Sequence, residues 1–216
     1  MPQKTQPKQI DLAKLFGAVA SSLGNQREAL NQADTHNNDH GDHMVEIFEV
    51  VTQAAKERKS ASPADQLAYA SELLRRRQSG SAQVYADGFA HAAQQFQGQS
   101  VTTENAGMLV QTLLGGGQAP AQGASGGGDM LGALLGGLTG GGSQGVGSAD
   151  DGLDVGDLLN AGMAFMSSKQ QGSSTAEATI NALISASPLG QSSHRKESGT
   201  MVANLLMQAL GSMSGK

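Results

Sequence analysis

The residues best suited to chemistry lie in one short run, Asp34 to His43. Its ten positions hold three carboxylates (Asp34, Asp39, Asp42), three imidazoles (His36, His40, His43) and two carboxamides (Asn37, Asn38). Charged residues make up only 15% of the whole chain, so this is a local concentration of oxygen and nitrogen donors. Hard cations such as Mg²⁺ take Asp and Asn oxygens. The apolar helical pattern beginning at Met44 places the run just before a helix, and a helix N-terminus attracts phosphate. A metal-nucleotide site is the expectation, and a polar loop capping a helix is the plain alternative. His36, His40 and His43 are also of the right type for Zn²⁺ or Ni²⁺.

The elements that must position this run follow from apolar spacing near 3.6 residues. Leu12, Leu15, Phe16, Val19, Ala20 and Leu23 predict a first helix capped by Asp11 and stopped at Gly24, then a short helix near 27–33. Met44, Ile47, Phe48, Val51, Ala54 and Ala55 form the stripe after the loop, with Asp42 as the expected cap. Ser62, Pro63 and Asp65 open another helix in the order of serine cap, proline at the first position and acid three residues on. Its buried face is Leu67, Ala70, Leu73 and Leu74. A break at 78–82 precedes a stripe of Tyr85, Phe89, Ala92 and Phe96, and a helix over 103–114 carries Met108, Leu109, Thr112 and Leu113. Further helical segments are expected at 157–166 and 175–184. The last helix carries Met201, Val202, Leu205, Leu206, Ala209 and Leu210. No alternating pattern competes, so the fold class is all-α, an antiparallel bundle or barrel of about eight helices.

Between Gly115 and Gly156 lie 17 of the 30 glycines. Glycine costs about 1 kcal/mol at each interior helical position. Residues 115–152 are therefore expected to be a mobile glycine-rich insert in a single domain over 10–212, preceded by a flexible stretch at 1–9.

Composition sets further bounds. At 216 residues the chain can bury a full core. The absence of cysteine excludes disulfides and thiolate metal sites. A net charge of −5 argues against nucleic-acid binding, which needs concentrated Lys and Arg. The basic cluster Arg75, Arg76 and Arg77 is expected at a helix C-terminus, where cations favour the dipole. No run reaches the roughly 18 apolar residues of a membrane span, and the polar start lacks a signal core, so a cytoplasmic location is expected. Nine methionines against seven aromatics indicate a soft core. His91 and His194 read as ordinary polar residues.

The order of these parts resembles the DhaL-like domain family, the nucleotide-binding unit of dihydroxyacetone kinases. Asp39, His40, Gly41 and Met44 match the second half of the family's acidic motif, and His43 stands where the family has Asn. Asp34 aligns with the leading Asp if two loop residues are missing, which puts Asn37 at the middle metal position. Counting back from Tyr85, Ser81 falls on the serine of the family's glycine-serine turn, with Ser79 and Ala82 replacing glycines. Glu197, Ser198, Gly199 and Thr200 echo the closing turn, and Ser185 stands near the family's Arg position. The resemblance spans residues 10–114 and 153–212.

It implies a helical barrel that holds ADP or ATP through Mg²⁺. Asp34, Asn37, Asp39 and Asp42 would serve as metal ligands. His40, Gly41, His43, Ser79, Gly80, Ser81 and Gly199 would lie around the nucleotide. Phosphoryl transfer would then need a substrate-binding partner protein. The alternative is a non-catalytic all-α binding or scaffold protein that kept the fold and lost the chemistry.

Overall fold

A computed structural model describes residues 8–115, 163, 167 and 175–214. These contain seven α-helices, and beyond helix they hold only an isolated bridge between Gln9 and Thr102. The all-α expectation is met. The glycine-rich segment and the helix expected at 157–166 lie outside the described residues, apart from helical Met163.

Helix α1 (Leu12–Ala33) is capped by Asp11, whose carboxylate accepts from the Lys14 amide at 3.1 Å. Gly24 does not stop it. Leu23 and Leu30 are both buried on the same core face, and their packing carries the helix through the glycine as one 22-residue element. Helix α2 (His40–Glu57) buries Met44, Ile47, Phe48, Val51, Ala54 and Ala55, the whole expected stripe. It runs antiparallel to α1: Gly41 meets the Arg27 carbonyl near one end, and Thr52 lies against Gly17 towards the other. Helix α3 (Pro63–Arg75) starts as expected, with Ser62 Oγ accepting from the Asp65 amide at 3.1 Å.

Helix α4 (Gly80–Gln95) is capped by Ser79, which accepts from the Ala82 amide at 3.1 Å. It is tied to α3 by the Ser71 hydroxyl donating to the Ala86 carbonyl at 2.7 Å. Helix α5 (Ala106–Leu114) passes so close to α4 that a Cβ on Gly88 would lie 2.4 Å from the Leu113 carbonyl oxygen. Helix α6 (Thr175–Ala186) leads through a short 3₁₀ turn (Pro188–Gln191) into helix α7 (Ser193–Ser214).

The three consecutive arginines do not act mainly as a helix cap. Each reaches a carboxylate: Arg75 to Asp87 at 2.7 Å, Arg76 to Glu72, and Arg77 to Glu46 at 2.8 Å. All three pairs are exposed, and pairs of that kind contribute at most about 1 kcal/mol each.

Phe16, Phe48, Phe89 and Tyr85 join α1, α2 and α4 at the centre, with ring centroids 5.4–6.5 Å apart. Helix α7 lies antiparallel to α1. Its far end accepts a hydrogen bond from Lys8 Nζ at the Met213 carbonyl (2.9 Å), while its start meets Asp34 through His194. Lys8 and Gln9, expected in a flexible leader, are thus anchored, and Ile10 also donates to the Val101 carbonyl at 2.9 Å. This packing gathers the starts of α2, α4 and α7 at one end of the molecule. Among the described residues no helix is long and apolar enough to cross a membrane.

Candidate functional site

Asp34 ends α1 and turns inward, with only 3% of its surface exposed. Its carboxylate accepts from the His36 amide at 3.0 Å and closes the loop onto itself. That hydrogen bond is the main reason its pKa is held below the ordinary carboxylate value, and the nearby His194 acts in the same direction. Asn38 takes a left-handed backbone (φ 57°), which asparagine tolerates better than most residues, so the chain can reverse into α2.

His40 opens α2 and is buried. Its Nε2 lies 2.8 Å from Ser198 Oγ, on a residue 158 positions away. The Ser198 hydroxyl donates to the Arg195 carbonyl at 3.0 Å, so in this arrangement the imidazole Nε2–H is the donor to Ser198. Burial, reinforced by His194 and Arg195, lowers the His40 pKa to about 4, which keeps the ring neutral at physiological pH. The His194 ring stands edge-on to His40 at 4.8 Å, its Nδ1 4.0 Å from Asp34 and its Nε2 3.3 Å from Ser192 Oγ. This is no serine-hydrolase relay: Ser198 is fully buried and its proton is directed to a backbone carbonyl.

The remaining residues of the acidic run point to other tasks. Asp42 was expected to cap α2, yet it lies inside the first turn, exposed, 3.5 Å from Arg27 Nε and accepting from Asn31 Nδ2 at 3.0 Å. The cap comes instead from α1: Asn31 Oδ1 accepts from the Gly41 amide at 2.7 Å and the Asp42 amide at 3.2 Å. Gly41 is glycine because a Cβ there would lie 2.1 Å from the Arg27 carbonyl oxygen. Asp39 faces His43 within its own helical turn at 3.3 Å, and His36 and Asn37 are exposed.

Asp34, Asp39 and Asp42 are therefore committed to three separate sets of partners. Among the described residues no group of three His, Asp or Glu side chains is placed to hold a metal ion. As arranged, the donor set does not fit a site of three carboxylates around Mg²⁺.

The glycine-serine turn does come to this end of the molecule. Ser79 acts as a cap, and Ser81 is 5% exposed. A Cβ on Gly80 would meet the tip of Arg195 at 2.6 Å, so the guanidinium lies over the first turn of α4. Gly199 was expected in a turn opening the last helix. It lies inside α7, packed towards Leu189 and Ile184. The turn that opens α7 is at 187–192, seven or more residues before Gly199.

Sequence reasoning missed His194 and Arg195. Neither stands on an apolar stripe or in a recognisable spacing, and only the antiparallel return of α7 along α1 brings them to the start of α2. The single available signal was their position beside the Glu197–Thr200 segment.

No family model matches the chain, and comparison with curated proteins and with solved structures found no match.

Proposed function

We propose that this chain is a helical binding domain that takes the phosphates of a nucleotide, ADP or ATP, at the end formed by the starts of α2, α4 and α7, and works with a partner protein. The observation that supports this reading is convergence. The acidic run, the glycine-serine turn and the segment around Ser198 are far apart in sequence, yet they meet through His40–Ser198, Asp34–His194 and Arg195–Gly80. These are the three places where the resemblance to the DhaL-like family puts nucleotide contacts, and the barrel architecture of that family belongs to the same proposal. Helix starts supply amide donors and positive dipole ends, which suit an anion.

The commitment of Asp39 to His43 and of Asp42 to Arg27 favours binding without phosphoryl transfer by this chain alone. Calorimetric titration with ADP, with and without Mg²⁺, tests the reading. Saturable binding that persists in EDTA is expected, and no heat at millimolar ADP under either condition removes it.

One observation favours a second reading, Mg²⁺-dependent transfer to a substrate held by the partner. Asp34 is buried, and its hydrogen bond to the His36 amide favours the ionised form, so it could serve as a fixed ligand. Binding that needs Mg²⁺ and is lost in both Asp34→Asn and Asp39→Ala would establish that reading instead.

A further inference from the structure

The chain has six arginines. Five have a partner: Arg27, Arg75, Arg76 and Arg77 each pair with a carboxylate, and Arg58 lies over the Tyr69 ring at 4.6 Å. Arg195 is the exception. It is half-buried, its Nε is fully buried without a hydrogen-bond partner, and among the described residues no carboxylate lies within ion-pair distance of it. A guanidinium left in this way is costly unless something anionic meets it.

What it faces is suited to that. Its tip lies over Gly80, the first residue of the 16-residue helix α4, where a side chain would collide with it. Next along α4 is Ser81, 5% exposed. Ser79 satisfies the Ala82 amide, leaving the amides of Gly80 and Ser81 as helix-start donors. Arg195 lies close enough to His40 for its charge to be felt there, and Asp34, on the far side of His194, is turned to His194 and its own loop.

We infer that Arg195, the Ser81 hydroxyl and the first turn of α4 form a phosphate-binding site that works without a metal ion. The inference deepens the nucleotide reading and rests on it for the identity of the ligand, while the anion site itself can be tested separately. Guanidinium and phosphate match in geometry and make charge-assisted hydrogen bonds, so losing the fork should weaken binding about tenfold or more.

The test is titration of the full chain with inorganic pyrophosphate in EDTA, followed by ADP with Mg²⁺ on the same preparations. Wild type should bind pyrophosphate saturably, Arg195→Gln should bind it at least about tenfold more weakly, and Arg195→Lys should fall between. Gly80→Ala provides a second variant that should keep its fold, because the new methyl displaces only the far end of a flexible side chain. It should weaken binding too, and its loss should not add to that of Arg195→Gln in the double variant. Equal pyrophosphate binding by wild type and Arg195→Gln overturns the inference, and so does no pyrophosphate binding by wild type. In either case the ADP titration shows whether the nucleotide reading falls with it.

Discussion

Replacing Gly41 by alanine separates the two roles open to that glycine. The resemblance makes it a residue that lets a ligand approach the backbone, whereas the structure makes it the contact point of α1 and α2. The added Cβ would lie 2.1 Å from the Arg27 carbonyl oxygen and 2.8 Å from Asn31 Oδ1. Carbon and oxygen settle at roughly 3.3 Å or more, so the helices must part by about 1 Å at this end. Overpacking of that kind costs about 1–3 kcal/mol. Parting also weakens the two amide bonds to Asn31 Oδ1, at roughly 1 kcal/mol each. Alanine returns less than the roughly 1 kcal/mol of an interior helical position, because Gly41 is in the first turn of α2. The net loss is about 2–4 kcal/mol, or roughly 5–15 °C in Tm for a chain of this size.

Urea and thermal unfolding followed by circular dichroism measure it directly. Gly24→Ala is the control with the opposite sign. Nothing lies within 4 Å of a Cβ there, so it should gain about 0.5–1 kcal/mol. A Gly41→Ala protein as stable as wild type would refute the packing argument. If that stable protein had also lost ADP binding, Gly41 would be a ligand-approach residue after all.

Three other outcomes follow from buried polar groups. Tyr85 is buried with its hydroxyl unpartnered among the described residues, and burial raises its pKa, so Tyr85→Phe should be neutral or stabilising by up to about 1 kcal/mol in urea unfolding. Ser198→Ala leaves the His40 Nε2–H without its acceptor and should cost about 1–3 kcal/mol, a loss that a double-mutant cycle with His40 would show to be coupled. His40 titrates near 4 in the folded chain, below the unfolded value of 6.5. Its contribution to stability is therefore full above pH 6.5 and lost as pH falls towards 4. The loss should be on the order of 2 kcal/mol, absent in a His40→Gln variant, with the imidazole NMR titration checking the value.

The parts legible in the sequence were those decided locally. Asp11 and Ser62 cap their helices through bonds to amides three residues on, and the stripe from Met44 to Ala55 is buried as its spacing demands. Errors arose where a distant contact overrides a local signal. Gly24 reads as a stop, but Leu23 and Leu30 bind the helix to the core on both sides of it. Asp42 has the composition of a cap, yet Asn31, eleven residues earlier, supplies one from the neighbouring helix. The run of carboxylates suggested a shared ion, and nothing in its spacing revealed that Arg27 and His43 would each claim one member. His194 and Arg195 reach the site only through the fold.

The claim on which the functional reading depends is that a phosphate ligand binds where α2, α4 and α7 begin. Amide chemical-shift mapping during an ADP titration tests it most directly. Saturable shifts confined to His40, Gly80, Ser81 and the first turns of α7 around Arg195 are predicted. Absent shifts, or saturable shifts centred on another surface such as the α2–α3 face at Val50, Leu73 and Arg76, would contradict it.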